Sequence, residues 1–248
     1  MATVDLSPSE ANRTPRPIWR RLARGARRHP TVTAGSVILG AVLIATLLAP
    51  WLSVYDPLHI DPLSRLKPPS AEHVLGTDAV GRDLWSRTIH GGRVSLVVGL
   101  VVAVLATLVG LLLGLVAGYS RIADAILMRV MDGLMSIPAI LLAIALMAVA
   151  QASILTVVAA ITVVELPRVV RLVRAVVLSI REQPYVEAAI VVGSRFPRVL
   201  FRHILPNTLA PLTVQATYIC AAAILIESLL SFLSAGTPPE MAPPLARG

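Results

Sequence analysis

Charged residues are scarce in this chain, and long uncharged runs take their place. Asp, Glu, Lys and Arg make up 15% of its 248 residues, whereas 56% are hydrophobic. In a soluble domain about a quarter of the residues are charged, and the apolar residues recur at helical or strand spacing. The composition therefore excludes a soluble domain and predicts an all-α fold, that of a polytopic helical membrane protein.

Several marks of enzymes and metalloproteins are also absent. Cys220 is the single cysteine, which excludes an intrachain disulfide. The chain contains no Gly-x-x-x-x-Gly-Lys-Ser/Thr sequence to bind ATP, and no nucleophile is paired with a base at a supporting spacing. His59, His73 and His90 show no spacing typical of metal ligands. We therefore predict that the chain is not an enzyme by itself and holds no metal or cofactor.

The net charge of +8 comes largely from two arginine-rich segments. Seven arginines lie in residues 1–30, and seven more lie between Arg168 and Arg202. Both segments flank apolar blocks, which is typical of the cytoplasmic side of a membrane protein that faces anionic lipid. The distribution favours membrane lipid, and not nucleic acid, as the partner of this charge.

The uncharged blocks predict five membrane spans. Because a helix needs about 20 apolar residues to cross a membrane, residues 31–55, 94–120 and 208–233 can supply one span each. The block 133–175 must hold two spans, turning at 151–153, because both arginine-rich segments belong inside. The first block is too long for a signal-peptide core of roughly 7–15 residues, so it is expected to remain as an anchor.

This topology divides the chain into successive parts. They are a basic cytoplasmic segment at 1–30, a first span at 31–55, an outer loop at 56–93, a helical core at 94–236 with a cytoplasmic loop at 181–206, and a proline-rich end at 237–248. The N-terminus and the loop at 181–206 are expected inside, and the outer loop and the C-terminus outside.

Glycines inside the second predicted span indicate close helix packing. Gly110, Gly114 and Gly118 recur every four residues and form a small-residue stripe on one helix face. Such a stripe lets another helix approach closely. We therefore interpret it as a packing surface and not as a ligand site.

Ionisable residues inside the predicted spans are costly and need a reason. Arg168, Arg171 and Arg174 are spaced by three, and we expect them to reach lipid headgroups from the end of the fourth span. Glu227 lies inside the fifth span. Two interpretations of it stay open: a pathway residue that contacts protonated amines, or a buried packing partner near the outer end of the helix.

The cytoplasmic loop has the local signals of two short helices. Pro184 is suited to a helix start, and Glu187 then lies in the first turn, where a carboxylate favours the positive end of the helix dipole. Gly193 is suited to end that helix in a left-handed conformation. Ser194 is expected to cap a second short helix, which Pro206 would close.

The same loop resembles the signature loop of the permease subunits of binding-protein-dependent ABC importers. That pattern reads Glu-Ala-Ala, three residues, Gly, nine residues, a variable position, one residue and Leu-Pro. The positions that match it are Glu187, Ala188, Ala189, Gly193, His203, Leu205 and Pro206.

A second match lies far away in the sequence, in the outer loop. It resembles the segment that precedes the second span in the dipeptide/oligopeptide/nickel branch of these permeases. The matching residues are Gly76, Thr77, Asp78, Gly81, Arg82, Asp83, Ser86 and Arg87.

The resemblance implies a transmembrane subunit of a bacterial inner-membrane importer, most similar to the second permeases of dipeptide systems. It implies a homologous permease as partner, two cytoplasmic ATP-binding subunits that bind the ATP, and an extracytoplasmic substrate-binding protein. The loop at 181–206 would fit a cleft on the ATP-binding subunit, and transport of di- or oligopeptides would follow alternating access. Members of the family continue into a sixth span, and this chain has Ala242-Pro243-Pro244 in that place.

Three alternatives to a peptide importer stay open at this point. The cargo could be nickel or another small solute, since the branch covers these. An ion-coupled secondary transporter would need intramembrane ionisable residues, of which Glu165 and Glu227 are examples. A truncated, nonfunctional permease would account for the missing sixth span.

Overall fold

The computed structural model describes residues 29–149 and 153–233, and their regular structure is helical. The helices are α1 (Pro30–Leu47), α2 (Ala49–Leu52), α3 (Leu84–Tyr119), α4 (Arg121–Met135), α5 (Ala139–Val149), α6 (Ile154–Arg181), α7 (Pro184–Val191), α8 (Phe196–Val199) and α9 (Leu205–Phe232). A 3₁₀ turn covers Pro62–Ser64, and a π-helical turn covers Leu200–Ile204. The predicted all-α fold is confirmed. Most of the basic segment predicted at 1–30, and the proline-rich end at 237–248, lie outside the described residues.

Helices α1 and α2 belong to a compact unit of their own, residues 1–54. Pro30 lies in the first turn of α1, where its missing N–H costs no hydrogen bond. The 18 residues of α1 are long and apolar enough to cross a membrane, in agreement with the first predicted span. The helix ends at Leu47, earlier than the predicted boundary at Tyr55.

In the second unit, residues 55–248, α3, α6 and α9 pack on one another, and α4 and α5 lie against them. α3 begins at Leu84, ten residues before the predicted start of the second span. α6 runs without a break to Arg181 although Pro167 lies inside it. The centre of the bundle is apolar and includes Val98, Val102, Val157, Ile161, Val173, Ile219 and Leu230.

The glycine stripe of α3 is the surface on which α6 packs. A Cβ atom on Gly110 would lie 2.5 Å from Cβ of Val169, and one on Gly114 would lie 2.5 Å from Cβ of Val173. A Cβ atom on Gly118 would lie 2.6 Å from Cγ1 of Val177. Since both sets of residues advance by four in the same direction, the two helices run parallel here. The predicted packing role of the stripe is confirmed.

The third apolar block differs from the prediction. The helix does not begin near Gly133, because α4 already starts at Arg121 and is bent by 94° from α5 across the break at 136–138. Pro138 explains the break, since proline lacks the N–H of a continuing helix and disfavours helical backbone in the residue before it. With 11 residues, α5 is about 16 Å long, too short to cross a membrane alone.

α5 ends at Val149 and α6 begins at Ile154, on either side of the turn predicted at 151–153, of which 151 and 152 lie outside the described residues. Ser153 caps α6, and its side chain accepts a hydrogen bond from the Thr156 N–H at 3.2 Å. By length and composition, the described residues contain three helices able to cross a membrane, or four if α4 and α5 together form one span. α6, which carries charges near its middle, is not among them. The count of five spans stays a prediction.

Candidate coupling loop and polar sites in the bundle

Helix α7 forms as the sequence predicts. Pro184 is its first residue, and Glu187 lies in its first turn. Val186 is fully buried and, together with Val199 and Ile204, belongs to the apolar core, which fixes α7 on the bundle. Glu187 and Ala188 are exposed, so the helix buries one side and presents the other.

Gly193 ends α7 in the left-handed conformation, with φ +86°. Its N–H donates to the Ile190 carbonyl at 2.9 Å, and the Ser194 N–H donates to the Ala189 carbonyl at 3.0 Å. These bonds satisfy carbonyls that the end of a helix leaves open. A Cβ atom on Gly193 would meet no atom of the described residues within 4 Å. The predicted helix stop is confirmed, and the glycine is required by its φ and not by crowding within the chain.

Two predictions about the second half of the loop are wrong. Ser194 does not cap α8, because the carbonyl of Arg195 accepts from the N–H groups of Arg198 and Val199 and therefore precedes the helix. Pro206 does not close the unit, because α8 continues through the π-helical turn into α9. The wide turn, in which the Leu205 N–H bonds to the Leu200 carbonyl, lets the helix pass Pro206 near the start of α9.

His203 lies in the π-helical turn and links the two halves of the loop. Its ring centroid is 5.8 Å from that of Tyr185 on α7, with the rings tilted by 51°. Its carbonyl accepts a hydrogen bond from the Asn207 side chain at 2.6 Å. His203 and Leu205 are half-buried, whereas Pro206 is exposed.

The tip of the loop is apolar and exposed. Val191 and Val192 are 86% and 85% exposed, and Ile190 and Tyr185 also face away from the core. We call residues 187–193 the coupling surface. An apolar tip held by a buried anchor is typical of a surface that another protein covers.

In the outer loop, the carboxylate of Asp78 holds the chain in a turn. It accepts hydrogen bonds from the N–H groups of Val80 and Arg82, both at 2.9 Å, and from the Arg87 guanidinium. Arg82 Nε lies 3.2 Å away as an ion-pair partner. Burial raises the pKa of Asp78, but the two N–H donors and the two guanidinium groups outweigh it and hold the pKa below its ordinary value.

The glycines and the threonine of this motif allow close backbone contact. Gly76 and Gly81 both have positive φ. A Cβ atom on Gly76 would lie 2.5 Å from the Lys67 carbonyl oxygen, and one on Gly81 would clash with the Asp61 carbonyl. Thr77 donates to the Ser64 carbonyl and accepts from the Lys67 N–H at 2.8 Å.

The remaining motif residues start α3. One oxygen of Asp83 accepts from the Ser86 N–H at 2.8 Å, which caps the helix, and the other lies 3.0 Å from His73 Nδ1. The ring of His73 packs 4.9 Å from that of Tyr55. Burial raises the pKa of Asp83, but the Ser86 and His73 donors lower it by more, so it lies below its ordinary value. The motif thus folds the outer loop onto the start of α3.

Glu227 is buried between α9 and α3. Its carboxylate accepts a hydrogen bond from the Ser95 hydroxyl at 2.8 Å, and it is 4% exposed. These surroundings favour the interpretation of Glu227 as a buried packing partner over contact with a passing solute. The pathway role stays a prediction.

The arginines of α6 bind carboxylates, which the sequence analysis did not foresee. Arg171 pairs with Asp132, and Arg174 pairs with Asp124, both on α4. Arg168 pairs with Glu165 on its own helix. These pairs do not test the expectation that the arginines reach lipid headgroups, which stays a prediction. The signal for the pairs was the presence of two acids, Asp124 and Asp132, in the segment 121–132, where no span was predicted.

A helical bundle whose helices include several long and apolar enough to cross a membrane defines an integral membrane protein. The chain belongs to the family described as binding-protein-dependent transport system inner membrane components, which matches residues 106–245. Residues 17–69 match the N-terminal transmembrane domain of oligopeptide transport permease C. It is therefore an inner-membrane permease subunit of an ABC importer, and membership implies ATPase and substrate-binding components as partners.

Curated relatives are similar over most of their length. A probable peptide ABC transporter permease protein of Sinorhizobium fredii is 53% identical over 236 residues, which is 95% of this chain and 81% of the relative. A putative peptide transport system permease protein of Brucella abortus is 47% identical, over 89% of this chain and 74% of the relative. A dipeptide transport system permease protein of Alkalihalophilus pseudofirmus is 38% identical, over 90% and 74%.

Proposed function

We propose that this permease carries di- or oligopeptides, together with a homologous permease subunit, two ATP-binding subunits and an extracytoplasmic substrate-binding protein. The similarity to relatives named as peptide permeases supports the cargo. ATP is bound and hydrolysed by the partner subunits, and this chain holds no cofactor. The cycle is one of alternating access, in which closure of the ATP-binding subunits changes the side to which the bundle opens.

The observation that carries the mechanism is the anchored and exposed coupling surface. Val186 buries one side of α7 in the core, while Val191 and Val192 are almost fully exposed. A rigid anchor can transmit a displacement of the tip to α6 and α9, since α7 follows α6 directly and α8 continues into α9. We assign the docking contacts to Glu187, Ala188, Ala189 and Gly193, and the transmission to His203, Leu205 and Pro206. ATP can shift the transport equilibrium only through contacts that differ between the two states.

Gly193→Asp tests this assignment in the reconstituted transporter. Because Gly193 has positive φ and open space around it, the substitution strains the loop and places a charge on the coupling surface without a clash in the core. We expect ATP hydrolysis to be uncoupled from uptake of a labelled dipeptide, while the external binding protein still captures it. Gly193→Asn is the matched control, since asparagine tolerates left-handed backbone. Normal uptake by Gly193→Asp at normal membrane abundance would remove the loop from the mechanism.

A further inference from the structure

Two polar side chains meet at the middle of the two helices that carry them. Arg168 lies 14 residues after the start of α6 at Ile154 and 13 before its end at Arg181. Tyr218 lies 13 residues after the start of α9 at Leu205 and 14 before its end at Phe232. Each helix is about 42 Å long, so both side chains lie about 20 Å from either end.

The packing of α3 against α6 places the same level deep in the bilayer. Residues 94–120 of α3 are uncharged, with their centre near residue 107. Val169, which directly follows Arg168, packs on Gly110, about 4.5 Å along the axis from that centre. Arg168 and Tyr218 are therefore at the depth of the hydrocarbon core, which is about 30 Å thick.

Glu165 fixes the orientation of Arg168. Glu165 is fully buried, and both of its oxygens accept from Arg168 Nη1, at 3.0 and 2.9 Å. Nη1 also lies 3.4 Å from the Tyr218 hydroxyl, and the guanidinium carbon lies 5.6 Å from the centre of the tyrosine ring. Within the part of the chain that the structure describes, the contacts of Arg168 use Nη1 and the guanidinium face, so Nη2 and Nε remain as donors.

The described residues leave this cluster partly exposed. The Arg168 side chain is 40% exposed, and Tyr218 is 53% exposed. An arginine that faces lipid at this depth is costly, and such residues face a watery cavity or the interior of the assembly. The exposed side of α6 and α9 at this level is therefore expected to face water or further protein of the assembled transporter, and not lipid.

We propose that Glu165, Arg168 and Tyr218 form a site on the translocation pathway that binds the carboxylate of the passing peptide. The proposal rests on the proposed function for the identity of the cargo. Nη2 and Nε of a guanidinium match the two oxygens of a carboxylate. Glu165 compensates the arginine charge, so the site offers hydrogen-bond donors without a strong net attraction for anions. Weak binding suits a pathway site, because a transported solute must also leave it.

Thiol labelling tests whether the site faces water, independently of the cargo. The protein is the assembled transporter with Cys220→Ala, and Tyr218→Cys is compared with Ile219→Cys, whose position is buried. The probes are two membrane-impermeant methanethiosulfonates, one sulfonate-bearing and one trimethylammonium-bearing. We expect Tyr218→Cys to react and Ile219→Cys not to react. Relative to a free thiol in solution, Arg168 should raise the ratio of the anionic to the cationic reaction rate about threefold or more. Arg168→Gln should abolish this preference.

Protection of Tyr218→Cys in the assembled transporter would overturn the proposal, because the cluster would then face lipid or lie within the interface with the partner permease. Reaction with the same ratio of rates as a free thiol would equally overturn it.

Transport by Arg168→Lys tests the carboxylate contact. Lysine keeps the charge next to Glu165 but loses the planar fork. Uptake of labelled dialanine and of its C-terminal amide is measured with the same binding protein at saturating concentration. Any preference of the binding protein for one of the two substrates then cancels when the variants are compared. We expect dialanine uptake to fall about tenfold and amide uptake to change little. Arg171→Lys is the matched control, since Arg171 lies one turn further on α6, is 44% exposed and is also paired with an acid.

Equal ratios of the two substrates in Arg168→Lys and wild type would overturn the carboxylate contact. If the wild-type transporter hydrolyses ATP in response to the binding protein but imports neither peptide, the peptide assignment fails, and the labelling preference at Tyr218→Cys still decides whether the site binds anions.

Discussion

At the residue scale, three polar contacts of this chain join a carboxylate to a donor that lies far away in sequence. Arg171 and Asp132 are separated by 39 residues, Arg174 and Asp124 by 50, and Ser95 and Glu227 by 132. Sequence spacing identified several of these charges but not their partners, because a tertiary ion pair leaves no local pattern. Asp83 is an exception, since a carboxylate directly before a long helix is a local capping signal.

Asp83 makes the outer loop sensitive to acid. Its folded-state pKa is lowered below the ordinary value of 3.8. The stability that it contributes is therefore fully present above that value and is lost as the pH falls through the lower folded-state pKa. We expect the protection of the amides at 76–86 against hydrogen exchange, measured relative to their intrinsic exchange rates, to fall below about pH 4.

Asp83→Asn separates the charge of Asp83 from its capping role. Asparagine still caps a helix, so the variant should keep the loop folded at neutral pH but show a weaker dependence on acid. An acid response identical to that of wild type would assign the effect to other carboxylates, of which Asp78 has a similarly lowered pKa.

Substitution of Glu227 distinguishes packing from a pathway role. Because its carboxylate is buried and accepts from Ser95, we expect Glu227→Gln to keep both assembly with the partner permease and uptake. Glu227→Ala leaves the Ser95 hydroxyl without this acceptor and should destabilise the subunit by about 1–3 kcal/mol. Assembly is measured by co-purification and uptake by labelled dipeptide. Loss of uptake in an assembled Glu227→Gln transporter would instead support the pathway role.

At the element scale, local signals were sufficient for some helices and misleading for others. The start of α7 at Pro184 and its stop at Gly193 depend on backbone constraints of single residues, so the sequence predicts them well. Helix α4 escaped a prediction based on uncharged blocks because charged residues interrupt it, although Ser120 caps it and Asp124 lies in its first turn. Pro206 was interpreted as a terminator, whereas the π-helical turn before it lets the helix continue.

The contact between α3 and α6 should be intolerant of added volume. A side chain on Gly114 would overlap Val173, and overpacking of this kind costs about 1–3 kcal/mol. We expect Gly114→Ala to lower the midpoint of thermal unfolding in detergent, and Val173→Ala to restore part of the loss in the double variant. Gly91→Ala is the control on the same helix, because a Cβ atom there meets nothing within 4 Å. Equal midpoints for the two glycine variants would contradict the close approach.

At the scale of the whole molecule, the sequence predicts the class of protein but not the internal geometry of its bundle. Two separated motifs indicate the family, and the long uncharged blocks indicate a membrane bundle. The cluster around Arg168 arises only when distant helices meet, whereas the bend between α4 and α5 has a local cause in Pro138. Residues that face another subunit also differ little, in sequence, from residues that face lipid.

The coupling surface should be needed for assembly and not for folding of the subunit. Val192→Glu places a charge on a side chain that is almost fully exposed, so the fold is expected to be unchanged while co-purification of the ATP-binding subunit falls. Ile122→Glu, at an exposed apolar position at the start of α4, is the control and should retain the partner. Full recovery of the ATP-binding subunit with Val192→Glu would show that docking occurs elsewhere.

The π-helical turn at 200–204 also sets the angular phase of everything that follows it in α9. Relaxation of this turn to ordinary α-helix, with all of its residues kept, would rotate the rest of α9 about its axis by roughly 100°. Tyr218 would then turn away from Arg168, and Glu227 from Ser95, although no side chain of either pair had changed. The wide geometry of this turn is therefore as strictly constrained as the identity of the residues that it aligns.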